Sequence, residues 1–208
     1  QCKTTLQKYP NIPRFRDFRE MFDKCGNQFE AVIAAVPDFY HFPIAMMALK
    51  NGKHVYIEKP MSRTFNEAEL MIQEANKHPE LATQVGNQGH SEANYFQFKA
   101  WKEAGIIKDV TAVTAHMNSA RRWHQYDSNM IKFPGPDPIP AGMDYMTWLG
   151  TRPFHEFSKL YHQGNWRCWY DFGMGALGDW GAHILDTVHE FLNLGLPYEV
   201  TMKYAKGH

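Results

Sequence analysis

Cysteine is scarce in this 208-residue chain: Cys2, Cys25 and Cys168 are odd in number, widely separated and in no CxxC pair. A disulfide framework and a four-cysteine zinc site are thereby excluded, and free thiols in a reducing compartment are expected. Any apolar run near the roughly 20 residues of a membrane-spanning helix is also lacking, and no signal peptide opens the chain. The expectation is a cytoplasmic protein with no membrane role. The alternative is an exported one whose signal lay upstream of Gln1, because the first residue is not methionine. Net charge is missing as well, since 22 basic residues balance 22 acidic ones. That removes the basic excess expected of a nucleic-acid binder and leaves a neutral small molecule as the expected partner. There is no internal repeat, no low-complexity tract and no GxGxxG.

What is present is an alternation of short apolar runs and helical patterns. Residues 1–28 read as two short helices separated by a turn at Asn11-Ile12-Pro13, the second carrying Phe18, Met21 and Phe22 on one side. Ala31 to Val36 is an unbroken apolar run of the kind that fills a parallel strand covered on both faces, and Pro37-Asp38 stops it. Pro43 is expected to open a helix through Leu49, with Gly52 closing it and His54 to Ile57 forming the next strand. Thr64 and Glu67 make a capping box for a further helix to about Lys77. Ala82 to Val85 is a third strand, and a helix follows from about Glu92 to Glu103.

Such alternation predicts an α/β domain with a doubly wound parallel sheet, whose ligands sit beyond the carboxyl ends of the strands. Past Gly105 the pattern changes. Asp109 to Met117 and Tyr198 to Tyr204 read as strands of an open sheet, Asn118 to Trp148 as loop. Two domains are expected: a partial Rossmann-type domain over 1–105, then over 106–208 a partial α+β domain with an open, mainly antiparallel sheet.

The densest chemistry lies in the segment from Gly173 to Phe191. At about 100° per residue, Asp179, His183, Asp186 and Glu190 fall within roughly 60° of one another, with Ile184, Val188, Phe191 and Leu192 on the opposite arc. Asp179 and His183 stand one helical turn apart, so a carboxylate and an imidazole can act on one small substrate. Glycines at 173, 175, 178 and 181 predict an approach bare of side chains. The same pattern also suits an ordinary solvated helix face.

Glu58-Lys59-Pro60 closes the second strand, where an α/β sheet places its ligand. An ammonium pressed against an apolar strand end sheds hydration and can serve as a proton acceptor or as a donor to a substrate hydroxyl. A lysine snorkelling out of the strand end is the plainer alternative.

These motifs occur together. Ala-Val-Pro-Asp-x-x-His ends at His41, and Val-Tyr-Ile-Glu-Lys-Pro ends at Pro60. Thr-Gln-Val-Gly-Asn-Gln-Gly-His fills 83–90, and Trp-Leu-Gly fills 148–150. Trp-Arg-x-Trp-x-Asp-Phe-Gly-x-Gly-Ala-Leu-Gly-Asp fills 166–179, with His183 four residues on. In this combination the chain resembles the Gfo/Idh/MocA oxidoreductase family over nearly its whole length.

The resemblance implies an N-terminal Rossmann domain that binds NAD or NADP, and a C-terminal α+β domain whose sheet often serves as a homo-oligomer face when full-length. It implies that Lys59, Asp179 and His183 are catalytic. His183 would take a hydroxyl proton while a hydride moves to the nicotinamide, and Lys59 and Asp179 would hold and polarise the oxygen. Cofactor contacts carried over by position are Pro37, His41, Glu58, Lys59, Pro60, Asn87 and Gln88. The missing glycine-rich turn and the missing acidic residue after a second strand would lie upstream of Gln1.

Substrate contacts are expected from His90, Trp166 and Arg167 besides Asp179 and His183. Trp166, Trp169 and Tyr170 can stack on a sugar ring or pack in a core. Arg121, Arg122, Trp123 and His124 line the cleft or are solvated. Asp179 and His183 also have the spacing of metal ligands, but no third ligand is evident and no metal is expected. The expected activity is hydride transfer between a nicotinamide and a hydroxyl carbon of a sugar, polyol or glycoside. A glycoside-cleaving enzyme using transient oxidation and a non-catalytic nucleotide-binding regulator are the alternatives.

Overall fold

In the computed structural model, which describes residues 3–117, 132–201 and 203, three strands form one parallel sheet in the order β1-β2-β3. They are β1 (Ala31–Ala34), β2 (His54–Glu58) and β3 (Thr83–Gly86), with Ala31 opposite His54 and Val55 opposite Thr83. Two short helices, α1 (Lys3–Lys8) and α2 (Phe18–Cys25), precede the sheet. The crossovers are α3 (Asp38–Lys50) and α4 (Phe65–Asn76), and α5 (Ala93–Glu103) follows β3 through a 3-10 turn at Gln88–Ser91. The expected strand-helix alternation is therefore present, and its carboxyl ends gather at one edge.

Side chains alternate across a strand, and here one face is covered. Val32, Ala34, Val55 and Ile57 pack against Ile44, Ala45, Ala48 and Leu49 of α3 and Met71 of α4. Ile33 on the other face stays 76% exposed, so β1 is not the doubly covered strand its apolar run predicts. Pro43 lies inside α3 rather than at its start, because the turn begins at Pro37 and Pro43 removes only one internal donor. α4 opens on the expected capping box, Glu67 N donating to Thr64 Oγ1 at 3.2 Å and Thr64 N to Glu67 Oε2 at 3.1 Å.

The second half holds α6 (Tyr145–Leu149), a 3-10 stretch at Lys159–Cys168 and the long α7 (Gly175–Phe191). Its core is aromatic: Phe39 of α3 meets Tyr145, Phe157, Tyr161, Trp166, Trp169 and Phe172. Residues 109–117 form no strand, nor do the described residues among 198–204, because a strand exists only beside a hydrogen-bonding neighbour and no described segment pairs with them. Arg121, Arg122, Trp123 and His124 lie outside the described residues. No described helix is long and apolar enough to cross a membrane.

Candidate active site

The ionisable stripe of α7 docks against the strand exits. Lys59, the residue after β2, donates from Nζ to Asp179 Oδ1 at 2.7 Å and to the Asp179 carbonyl at 2.6 Å. One turn pair further on, His90 Nδ1 sits 2.7 Å from Asp186 Oδ2, and Tyr95 donates to Glu190 Oε1 at 2.9 Å. Asn87 Nδ2 donates to the Ala182 carbonyl at 3.0 Å. The apolar arc faces α5, where Phe191 meets Tyr95 and Phe98 at 5.1 and 5.5 Å between ring centroids. With Asp179 only 3% exposed, an ordinary solvated face does not describe this helix.

Asp179 is held from two sides. Arg167 Nε lies 3.2 Å from Asp179 Oδ1, and the Arg167 guanidinium stacks over the Trp166 ring at 4.1 Å. A carboxylate so deeply buried costs several kcal/mol in desolvation unless paired, and the two cations offset that cost. Gly173 makes the arrangement possible, since a Cβ there would come within 2.5 Å of Arg167 Cα. This corrects the expectation of a bare glycine approach. At 173 the missing side chain admits the chain's own backbone, and at 181 a Cβ would meet Leu177 Cδ1 at 3.0 Å.

His183 stands one turn beyond Asp179 with its ring 5.4 Å from that of Trp180. Burial lowers its pKa below the usual histidine value, and the Lys59 ammonium lowers it further, against the opposing pull of Asp179, Glu58 and Asp186. The imidazole is thus kept neutral at neutral pH, the form that can accept a proton.

A fourth charged group completes the cluster, one that the sequence marks as a strand stop and as part of the Ala-Val-Pro-Asp-x-x-His motif without giving it a role. Asp38, the first residue of α3, is 3% exposed, and its Oδ2 has no hydrogen-bond partner among the described residues. Burial raises its carboxyl to about 6, with Asp179 adding to the rise and Arg167, Lys59 and the Met174 N–H opposing it. The Pro-Asp after a buried strand was the available signal, since strand exits are where such sheets keep their chemistry.

The other expected residues divide. His41 is 1% exposed, with Nδ1 2.6 Å from the Pro60 carbonyl and Nε2 3.0 Å from the Val36 carbonyl, so neither ring nitrogen remains for a ligand. Pro37 caps α3, and the Lys59-Pro60 bond is cis. Gln88 Nε2 lies 3.4 Å from Glu58 Oε2. Lys59, Pro60, Asn87, His90, Gly181, Ala182, Asp186 and Glu190 border one cleft of about 610 Å³. Trp166 and Trp169 are core residues at 8% and 7% exposure, while Tyr170 is 80% exposed under Arg63. Asn87 Oδ1 is buried without a partner among the described residues, an acceptor left over at the β3 exit.

Two family models cover this architecture. Residues 3–87 match an oxidoreductase family with an NAD-binding Rossmann fold, and residues 92–206 match the C-terminal α/β domain of the same family. The chain belongs to the Gfo/Idh/MocA oxidoreductase family. Gfo/Idh/MocA relatives include an uncharacterised oxidoreductase of Schizosaccharomyces pombe, 23% identical over 94% of this chain and 41% of its own length. A scyllo-inositol 2-dehydrogenase (NADP(+)) of Bacillus subtilis is 25% identical over 83% of this chain and 37% of its own. The crystal structure of an oxidoreductase domain protein from Kribbella flavida superposes with a TM-score of 0.57 at 25% identity, over 85% of this chain and 38% of that one. The chain spans about two fifths of the length of the curated relatives it matches. Asn87 Oδ1 is an unused acceptor among the described residues, in the same cleft as Lys59, and so offers a place for a polar group of the nicotinamide cofactor of this family.

Proposed function

We propose that this chain carries the reaction centre of a nicotinamide-dependent oxidoreductase acting on a hydroxyl carbon of a sugar, polyol or glycoside. One observation carries the reading: an ammonium is fixed against a buried carboxylate at 2.7 Å, with a neutral imidazole one helical turn away.

Each residue has a distinct task. Two of the three Lys59 N–H groups are engaged by Asp179, and the third is available to donate to a substrate hydroxyl oxygen. Asp179 fixes the ammonium and is itself fixed by Arg167. His183 takes the hydroxyl proton, which raises electron density on the oxygen as the carbon is oxidised. Glu58, Asn87 and Gln88 at the strand exits would hold the nicotinamide cofactor, which would supply the hydride acceptor when bound. The inositol dehydrogenases among the relatives support a polyol as substrate.

The test is turnover of a panel of inositols, pyranoses and glycosides with NAD and with NADP, followed by reduced nicotinamide. His183→Ala and Lys59→Ala are expected to lower kcat by about 10²–10⁴-fold. Turnover in both variants undiminished from that of the unsubstituted protein would overturn the reading.

A further inference from the structure

His41 is buried, titratable and polar, and the reaction scheme above does not use it. Its ring sits at the fourth position of α3, yet it contacts the exits of two strands. Nε2 reaches the carbonyl of Val36, two residues past β1, and Nδ1 reaches the carbonyl of Pro60, two residues past β2. The first of these carbonyls lies two residues ahead of Asp38. The second belongs to the residue bonded to Lys59.

A single imidazole is therefore wedged between the two backbone turns that carry the buried charge cluster. The chain between the Pro60 carbonyl and the Lys59 ammonium is one peptide bond and one side chain. A shift of that turn by an ångström would carry Nζ out of its 2.6 and 2.7 Å contacts with Asp179. A neutral imidazole has one N–H, so only one carbonyl can receive a full hydrogen bond. The shorter contact, 2.6 Å to Pro60, marks Nδ1 as the donor.

We propose that His41 is a positioning residue for Lys59: its Nδ1–H holds the Pro60 carbonyl and thereby fixes the strand exit from which Lys59 reaches Asp179. This assignment replaces a cofactor contact at His41, for which no ring nitrogen remains. It rests on reading Lys59 as the donor to substrate, and its test includes a readout that needs no turnover.

Two variants separate the two nitrogens. Asparagine can place its amide where Nδ1 stands, and glutamine can place its amide where Nε2 stands. The first measurement is the rate at which Lys59 is acylated by an amine-reactive probe, followed by peptide mass spectrometry without cofactor or substrate. His41→Gln is expected to expose Lys59 and raise that rate several-fold, while His41→Asn keeps it near the unsubstituted protein. The second measurement is turnover: His41→Gln lowers kcat by about 100-fold with KM little changed, and His41→Asn restores most of it.

Indistinguishable acylation rates in the two variants would overturn the proposal. So would loss of folding in both, because the ring would then hold the sheet together rather than aim one lysine. Absence of polyol turnover in the unsubstituted protein, with the acylation difference intact, would reject the proposed reaction and leave the positioning role standing.

Discussion

Lys59 Nζ and the Asp179 carboxylate meet at 2.7 Å across 120 residues of chain, and their side chains are 14% and 3% exposed. Breaking such a pair from one side leaves a charge in a poorly solvated place. Asp179→Ala strands both Lys59 and Arg167 and is expected to cost about 3–5 kcal/mol of stability. Lys59→Met combined with Asp179→Leu should cost less than the sum of the single changes. A double-mutant cycle by urea unfolding measures this, and simple additivity would refute it.

The acid limb of the rate profile belongs to His183. Burial and Lys59 lower its pKa in the folded protein, so activity persists below the ordinary histidine value near 6.5 and fades only as pH falls through the lower one. The same shift acts on stability in that direction. The unfolded chain binds the proton more readily, so stability is present above pH 6.5 and declines as pH falls from there through the folded pKa. Comparing kcat/KM against pH with unfolding curves of His183→Ala checks both, and an acid limb above 6.5 contradicts the assignment.

Asp38 acts in the opposite sense. Its carboxyl is raised from 3.8 to about 6, so the folded state holds the proton more tightly, and a stability penalty builds up as pH rises from about 3.8 and is complete above about 6. Asp38→Asn is therefore expected to be more stable than the unsubstituted protein at pH 8, on the order of 2–3 kcal/mol, with the gain vanishing below pH 4. Urea unfolding at the two pH values decides, and a gain that does not change with pH would point away from titration of Asp38.

Trp166 and His90 separate core from surface. Trp166→Ala empties space in the aromatic core and should cost about 3–5 kcal/mol. His90→Ala removes a half-exposed contact to Asp186 and should cost about 1 kcal/mol or less. Thermal unfolding of the two variants tests the contrast. A Trp166→Ala protein of unchanged stability but weakened substrate affinity would restore the sugar-stacking role expected from the sequence.

Periodicity and caps made most of the elements legible before any coordinates. Thr64 and Glu67 announced α4, the apolar run at 31–36 announced β1 and the alternation with helices announced β2 and β3, and the 3.6-residue spacing of Asp179, His183, Asp186 and Glu190 announced the ionisable face of α7. These are local signals, set by backbone hydrogen bonding and side-chain spacing over a few residues. Motif spacing likewise singled out Lys59, Asp179 and His183.

What only the tertiary structure decided is how distant residues share charge and space. The pattern of α7 allowed a solvated stripe, and docking against the β2 and β3 exits buried Asp179 in an ion pair while Asp186 and Glu190 kept part of their exposure. Gly173 looked like an opening for ligand, and the crossing of Arg167 filled it. His41 looked like a cofactor contact, and the fold buried its ring between the carbonyls of two separate strand exits. Asp38 was legible as a strand stop and as part of a motif but received no role, and its burial near the charges of Lys59, Arg167 and Asp179 makes it a titrating neighbour of the candidate site. Short-range order is written into neighbouring residues, whereas desolvation and Coulomb interaction depend on which parts of the chain the fold brings within a few ångströms.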